Sequence, residues 1–248
     1  MTSATHHPYE IPKRIKRDNE NKNIDKETQI NKYLFLVNQI DNMLKILVTG
    51  LKEISEKQGR DLLVIVTGDH GEAFGDHGGY QHDNIYWEEG LHVPFVVWSP
   101  NRIKPGQIVR TNRSLIDMAP TILDIAGIPY KEDSFDGRTV LKLEKNPVKR
   151  YFACWYSNVC VGFVKNFTKL VYFPNSRSWM TYDLNLDPSE QNPIIEPEKY
   201  RKDVMKIKKW YNSHRHSSNG LKWKDRSFYN LWHCNGEKHK CKYSGLKK

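Results

Sequence analysis

The stretch TGDHGEAFGDHGGYQHDNIYWEEGLHVPFVVW, residues 67–98, places four His and six Asp or Glu next to two apolar runs. The first run, residues 62–66, is continuous and β-branched, which is typical of a strand covered on both faces of a parallel sheet. The second run, residues 93–98, predicts another buried strand, with Pro94 tolerated at its start. Asp69 and His70 therefore stand at the carboxyl end of a predicted strand, where open α/β sheets bind ligands.

The flanking sequence continues an α/β pattern. Apolar residues recur at spacings of three and four over residues 31–56 and predict a helix with one buried stripe, ended by Gly59. Asp117 is predicted to cap a helix that runs through Pro120 to Ile125, because proline belongs in a first helical turn.

Beyond residue 147 the pattern changes to short strands. Residues 159–164 and 169–173 predict a hairpin, residues 180–184 a third strand, and residues 195–211 a final helix. We therefore predict an α/β part over residues 1–146, a small α+β subdomain over residues 147–220 and a basic tail over residues 221–248.

Composition limits the classes of protein to which the chain can belong. With 248 residues and 38% hydrophobic content it can bury a core. No uninterrupted apolar run reaches 18 residues, so we predict no membrane span, and residues 1–32 lack the apolar run of a signal peptide.

The net charge is +10, and the tail carries eight Lys or Arg against Asp225 and Glu237, which gives +6. A solvated tail without a specific partner is the usual meaning of such a run, and binding of anionic glycan or nucleic acid is the alternative.

The four cysteines form two local pairs, Cys154 with Cys160 and Cys234 with Cys241. An even number in local pairs favours disulfides in an oxidising compartment, although three pairings remain open. Two Asn-x-Ser/Thr sequons, at residues 112–114 and 166–168, are compatible with a secretory route. The spacing of His and Cys over residues 233–241 fits no standard zinc finger.

The adjacent Asp69 and His70 are the strongest candidates for chemistry. A carboxylate beside an imidazole can bind a divalent cation, which polarises an ester oxygen and lowers the pKa of a nucleophile. Gly68 and Gly71 flank the pair and allow close approach of backbone and ligand. The alternative is an Asp that caps a turn beside a His that packs.

Several ordered segments resemble those of the sulfatases, which belong to the alkaline phosphatase superfamily. They are GDHGE (68–72), FGDHGG (74–79), YxxExxxVPF (86–95), LIDMAPTIL (115–123), DGRTVL (136–141) and YDLxxDPxxE (182–190). THHPY (5–9) resembles the His-x-Pro-aromatic segment of the same family. The resemblance implies a partial alkaline-phosphatase-like sheet with flanking helices, followed by the small subdomain.

The resemblance also implies roles for individual residues. Asp69 and His70 would bind the metal, His82 would contact the substrate sulfate or protonate the leaving group, and His6 would be a further active-site residue. A solvent-exposed loop His is the alternative for His82, and a flexible chain start or tag remnant for His6. The metal would be Ca²⁺ by resemblance, whereas a His ligand suits Zn²⁺ or Mn²⁺. His77 and His92 are left as structural or rim residues.

One expected segment is missing from this sequence. Sulfatases take their nucleophile from a Cys/Ser-x-Pro-x-Arg segment, and the nearest string, residues 98–102, has Trp98 at the nucleophile position. We therefore expect the chain to correspond to the later part of a sulfatase-like protein. Alone, it should be inactive and poorly soluble, because the metal would have too few ligands and the sheet an exposed edge.

The predicted function is hydrolysis of sulfate esters of a small molecule, glycan or lipid, and the YWEE segment (86–89) favours a hydrolase. The same residues would serve a phosphate or phosphonate ester hydrolase, or a phosphoethanolamine or phosphoglycerol transferase. A non-catalytic remnant that binds anionic glycan or nucleic acid through its tail is the other alternative, although no nucleic-acid partner is expected. By resemblance the compartment is secretory, lysosomal or extracellular.

Overall fold

A computed structural model of the chain describes residues 5–14, 28–82, 85–142, 146–154 and 159–214, together with the strands Trp232–Cys234 and Cys241–Tyr243. The chain divides into two compact units, Met1–Ile195 and Glu196–Lys248. The predicted domain boundaries at residues 146 and 220 stay predictions.

The first helix, α1 (Gln29–Gln58), confirms the periodicity prediction. The Thr28 hydroxyl accepts a hydrogen bond from the Asn31 amide at its start, and Gly59 ends it in the left-handed conformation at φ 62°. The predicted buried stripe is wrong, because among the described residues of the helix only Leu36 is buried. The exposed apolar side chains of α1 are Ile30, Leu34, Val37, Met43, Ile46, Leu47 and Ile54.

Within the described residues, α1 is also the one helix long and apolar enough to cross a membrane by length and composition. Polar residues such as Asp41 and Lys45 interrupt it, which is why the sequence shows no continuous apolar run. Buried core helices and signal sequences pass the same test, so the absence of a span stays a prediction.

The two strands around the charged segment are β1 (Val64–Thr67) and β4 (Phe95–Trp98). They pair in antiparallel orientation, with Val64 opposite Trp98, so the predicted parallel arrangement is wrong for this pair. Parallel neighbours need a crossover connection of a dozen or more residues, usually a helix. Here the chain instead passes through a hairpin and one helical turn and re-enters the sheet beside the strand it left. β1 is only partly buried along its length.

Three short elements lie between these strands: β2 (Ala73–Phe74), β3 (Tyr80–Gln81) and the one-turn helix α2 (Glu88–Leu91). β2 and β3 form a hairpin in which Ala73 lies opposite Gln81. The charged segment is therefore folded by local pairing rather than left as an open loop.

The next helix, α3 (Met118–Ala126), follows a 3₁₀ turn over Leu115–Asp117 and ends at Gly127, as predicted. Asp117 is the N-cap residue of α3, as predicted, but its side chain makes no cap hydrogen bond to that helix. Asp117 is fully buried, and its oxygens accept hydrogen bonds from the backbone amides of Ser114 and Arg138 at 3.0 and 2.8 Å. The Arg150 guanidinium lies 3.4 Å from the same carboxylate, so Asp117 joins three segments instead.

A five-stranded antiparallel sheet follows, with its strands in chain order. The strands are β5 (Arg150–Cys154), β6 (Cys160–Lys165), β7 (Thr168–Phe173), β8 (Ser178–Asp183) and β9 (Ile194–Ile195). The predicted hairpin and third strand are confirmed as β6, β7 and β8, whereas β5 and β9 were not predicted. A disulfide joins Cys154 to Cys160, which lie opposite each other across β5 and β6.

The second unit contains the helix α4 (Arg201–His214), preceded by a 3₁₀ turn over Glu198–Tyr200. The helix starts later than predicted, because Pro197 precedes the 3₁₀ turn and Ile194–Ile195 is a strand. The strands β10 (Trp232–Cys234) and β11 (Cys241–Tyr243) pair with Cys234 opposite Cys241. The rest of the predicted basic tail lies outside the described residues.

Candidate active site

Asp69 and His70 follow the carboxyl end of β1, as predicted, and their side chains lie together. Asp69 Oδ2 is 3.9 Å from His70 Nε2, and the two side chains are 65% and 43% exposed. The Nδ1–H of His70 donates to the Gly71 carbonyl at 2.8 Å. This bond leaves the Nε2 lone pair of a neutral imidazole beside the carboxylate, as a metal ligand requires.

Gly71 fixes the position of this pair against α2. Its amide donates to the Gly90 carbonyl at 2.8 Å, and a Cβ at this position would lie 1.9 Å from the Glu89 carbonyl oxygen. Any side chain here would push the Asp69 segment away from α2. The glycine is therefore required by close backbone approach.

A buried ion cluster holds α2 against the five-stranded sheet. The Lys169 ammonium lies 2.7 Å from carboxylate oxygens of both Glu88 and Glu190, and it donates to the Tyr86 carbonyl at 3.1 Å. The second oxygen of Glu190 accepts the Glu88 amide at 2.6 Å. Burial raises the pKa of Glu190 above its ordinary value, although Lys169 and these hydrogen bonds oppose the rise.

His82 and His6 join the pair, so the four predicted site residues form one group. The His82 ring stacks on His70 with centroids 4.3 Å apart, and it meets the His6 ring edge-on at 4.9 Å. Nδ1 of His82 donates to the Glu72 carboxylate at 3.3 Å. Asp69, His70 and His82 line one cleft of about 980 Å³, whose wall combines apolar side chains with charged and polar ones.

His77 lies in a closed structural contact. Its Nδ1 is 2.7 Å from Glu89 and its Nε2 is 3.0 Å from the Ser189 carbonyl, while its ring stacks on Trp87 at 4.3 Å. Burial opposes the charged imidazole, but Glu89 and the carbonyls of Ser189 and Glu190 raise its pKa above the ordinary value. This contact agrees with the structural reading of His77. His92 is 78% exposed and lies 3.4 Å from Glu88.

Two family models match the chain. A model described as Sulfatase matches residues 1–128, and one described as N-sulphoglucosamine sulphohydrolase, C-terminal, matches residues 75–217. The chain belongs to the sulfatase family. The resemblance drawn from the sequence motifs is thereby confirmed.

Curated relatives of this sulfatase-family chain carry sulfatase names. It is 29% identical over 189 residues to an N-acetylglucosamine-6-O-sulfatase of Bacteroides thetaiotaomicron, covering 71% of this chain and 33% of the relative. It is 26% identical to an arylsulfatase of Clostridium perfringens, over 71% of this chain and 38% of the relative. Human arylsulfatase K is 29% identical over 64% of this chain and 32% of the relative. The chain spans about a third of the length of these relatives.

Solved structures confirm the α/β fold class. One is a protein in complex with its substrate D-glucosamine-2-N,6-O-disulfate, with a TM-score of 0.53 and 23% identity over 82% of this chain and 45% of that chain. Another is a 2-O GAG sulfatase, with a TM-score of 0.61 and 16% identity over 75% of this chain and 42% of that chain. At these identities the likeness concerns the fold.

The donor set of this sulfatase-family chain fits part of a divalent cation site. Asp69 offers carboxylate oxygens and His70 a ring nitrogen, and both side chains are exposed. Across the described ranges, however, no group of three or more His, Cys, Asp or Glu side chains is placed to hold a metal ion. Two protein ligands are fewer than protein metal sites commonly use.

Two side chains of the string at residues 98–102 make structural contacts. Ser99 is buried, and its hydroxyl donates to the Leu62 carbonyl at 2.8 Å. Arg102 pairs with the Asp61 carboxylate at 2.6 Å. Both side chains therefore fix the end of β4.

Sequence reasoning missed Glu72, Lys169 and Glu190 as parts of the site's framework. Lys169 and Glu190 lie far along the chain from α2, and no local pattern links them to it. Glu72 could have been found from the hairpin, because the β2–β3 register continued by one residue sets it opposite His82.

Proposed function

We propose that this chain forms part of a hydrolase of sulfate monoesters that uses a divalent cation held by Asp69 and His70. The observation that carries the proposal is the gathering of these two side chains with His82 and His6 at the end of β1. Membership in the sulfatase family and the sulfatase names of the relatives support the reaction class.

In this proposal each side chain has a defined task. The Asp69 carboxylate and Nε2 of His70 hold the cation, which when bound polarises the ester and lowers the pKa of a nucleophile. When a proton is bound at Nε2 of His82, that N–H and the ring of His6 face the sulfate oxygens and supply the leaving group with a proton. The stacked contact between His82 and His70 keeps the proton-donating group next to the cation ligands.

The candidate cations are Ca²⁺, expected for the family, and Zn²⁺ or Mn²⁺, which suit a His ligand better. Calcium takes six to eight oxygen ligands, and zinc takes four ligands including nitrogen. Competitive binding of the three ions to the chain distinguishes them.

The nucleophile and the remaining cation ligands would come from polypeptide that this sequence does not supply. The exposed apolar face of α1 supports this, since Leu34, Met43 and Ile46 are 55%, 63% and 75% exposed. Val96 on β4 is 55% exposed as well. Apolar surface of this kind is normally covered in a stable globular protein.

The substrate class we propose is a sulfated amino-sugar glycan. One curated relative is an N-acetylglucosamine-6-O-sulfatase, and one structural neighbour was solved with D-glucosamine-2-N,6-O-disulfate. We further propose a secretory, lysosomal or extracellular location, which the Cys154–Cys160 disulfide supports.

Cation binding tests the first part of the proposal. Titration calorimetry with Ca²⁺, Zn²⁺ and Mn²⁺ on the intact chain should show binding that Asp69→Ala and His70→Ala each weaken. Asp76→Ala and His92→Ala are matched controls, because both side chains are exposed in the same segment, and they should leave binding unchanged.

Turnover tests the second part. The chain is completed with the first half of a sulfatase that carries the nucleophile segment, and rates are measured on aryl sulfate and aryl phosphate. We expect preference for the sulfate and a loss of at least about 100-fold in Asp69→Ala, since the cation supplies several kcal/mol of charge stabilisation. Equal turnover in Asp69→Ala would refute the assignment, and preference for the phosphate would favour the phosphatase alternative.

A further inference from the structure

We infer that Glu72 is a positioning residue that holds the imidazole of His82 in the Nδ1–H tautomer, with Nε2 presented to the cleft. The inference rests on the proposed function for the role of His82 toward the substrate, but the Glu72–His82 contact does not depend on that function. Glu72 has no assigned role in the sequence motifs, and its side chain is 6% exposed.

The backbone brings the two residues together before any side-chain contact is considered. In the β2–β3 hairpin Ala73 lies opposite Gln81 and Phe74 opposite Tyr80. Extending this register by one residue places Glu72 opposite His82. Cross-strand neighbours of an antiparallel pair have Cβ atoms about 4.5–5.5 Å apart, which is within reach of a Glu–His contact.

The contact itself sets the tautomer. The Glu72 carboxylate lies 3.3 Å from Nδ1 of His82, and an ionised carboxylate can only accept, so Nδ1 must carry a hydrogen. The neighbouring His70 does not compete for this carboxylate, because its own Nδ1–H donates to the Gly71 carbonyl. Within the described residues Nε2 of His82 has no hydrogen-bond partner, and His82 lines the cleft.

A second group holds Glu72 in place and links it to the His6 segment. The Tyr9 hydroxyl is hydrogen-bonded to Glu72, and burial followed by this bond raises the pKa of Tyr9 above its ordinary value. Tyr9 is 2% exposed, and its amide donates to the His6 carbonyl at 3.0 Å. One buried carboxylate therefore connects the segments that carry His6 and His82.

Residues 67–98 contain a second His–Glu pair, His77 with Glu89, that differs from the Glu72–His82 pair in how the second ring nitrogen is used. His77 and Glu89 lie 2.7 Å apart, but Nε2 of His77 is also occupied, by the Ser189 carbonyl at 3.0 Å. Both nitrogens of the His77 ring therefore have partners, and the ring links Glu89 to the Ser189 segment. The Glu72–His82 dyad leaves one nitrogen facing the cleft, as a group that contacts substrate requires.

The test is nitrogen-15 spectroscopy of the imidazoles in the full chain, at a pH where free imidazole is neutral and without any substrate. We expect His82 to show the Nδ1–H tautomer in the unaltered chain. Glu72→Gln should retain it, because the amide oxygen still accepts, and Glu72→Ala should shift it toward the Nε2–H form that free histidine prefers. Glu89→Gln is the matched control and should change the His77 signal while leaving that of His82 unchanged.

The His77 signal also reports whether each variant is folded. If Glu72→Ala loses it, Tyr9→Phe replaces that variant, and it should broaden or mix the His82 tautomers without touching the His77 contact. An Nε2–H tautomer in the unaltered chain overturns the inference, and so does an unchanged His82 signal in a folded Glu72→Ala variant.

In the completed enzyme, Glu72→Ala should lower kcat by about 10- to 100-fold, as removal of a supporting partner of an active-site histidine does, with KM nearly unchanged. Glu72→Gln should recover most of the loss. Absence of ester hydrolysis in the completed enzyme would overturn the proposed function while leaving the tautomer result intact, so the two failures are distinguishable.

Discussion

Replacement of Lys169 by methionine should cost about 3–5 kcal/mol in the free energy of unfolding, the range for breaking a buried ion pair from one side. The Lys169 side chain is fully buried, and its ammonium contacts Glu88 and Glu190 at 2.7 Å each. The contact with Glu190 is ionic, since the Glu190 oxygen that faces Lys169, Oε1, has no well-formed hydrogen bond. Methionine preserves most of the volume of the side chain, so the loss measures the charge rather than a cavity.

The size of the effect follows from what remains after the substitution. The Glu190 side chain is 1% exposed, and burial already raises its pKa while Lys169 opposes the rise. Without Lys169 the pKa of Glu190 should rise further. A carboxyl whose folded-state pKa is raised binds its proton more tightly when folded, so the stability of the protein falls as pH rises from the ordinary Glu value through the raised one.

The loss in Lys169→Met should therefore be larger at about pH 8 than at about pH 5. Urea unfolding followed by circular dichroism at both pH values measures it. Lys52→Met is the matched control, because Lys52 pairs with Glu56 at 3.8 Å on the surface of α1 and should cost no more than about 0.5 kcal/mol. Glu190→Gln added to Lys169→Met should recover part of the loss. Equal losses in the two lysine variants, or a loss independent of pH, would refute the reasoning.

Three further predictions concern the same unit. Gly71→Ala should abolish the calorimetric cation binding, because its Cβ would lie 1.9 Å from a carbonyl oxygen of α2, whereas Gly79→Ala, which has open space, should retain it. Because the pKa of His77 is raised in the folded protein, the protonated ring stabilises the fold fully below about pH 6.5, and this stabilisation is lost as pH rises through the raised pKa. His77→Gln should remove this pH dependence of the free energy of unfolding, measured by urea unfolding. Joint replacement of Cys154 and Cys160 by serine should cost about 2 kcal/mol in urea unfolding, as expected for a loop with a sequence separation of 6.

Elements encoded by local patterns could be predicted from the sequence. The span of α1 follows from apolar spacing. Its start follows from Thr28, whose side-chain oxygen caps the helix, and its end from Gly59, which adopts the left-handed conformation. The strands β6 and β7 follow from runs rich in apolar and β-branched residues, and β8 follows from the aromatic and β-branched residues Trp179, Thr181 and Tyr182. In each case the deciding interactions lie within a few residues of one another.

The partners of those elements could not be predicted in the same way. A continuous apolar run such as residues 62–66 indicates a strand but carries no information on the direction of its neighbour, so the antiparallel pairing with β4 was missed. β9 was missed because it contains two residues and exists only through its pairing with β8. The charge at Lys169 gave no sign of burial, because its partners Glu88 and Glu190 are distant in sequence.

The site shows the same division between local and distant information. Asp69 and His70 are adjacent in the chain, so their proximity was predictable from position alone, whereas the meeting of His82 with His6 was expected only from family resemblance. The hairpin β2–β3, Gly71 and the Lys169 cluster together fix the segment that carries three of these four side chains. Tyr33 of α1 also packs on Phe74 of β2, with ring centroids 5.0 Å apart, whereas Met43 and Ile46 of the same helix are exposed. It follows that the arrangement of Asp69, His70 and His82 depends on contacts made within residues 67–98, with the β7 side of the unit and with Tyr33 of α1. It should be retained whether or not the exposed apolar side chains of α1, such as Met43 and Ile46, are covered.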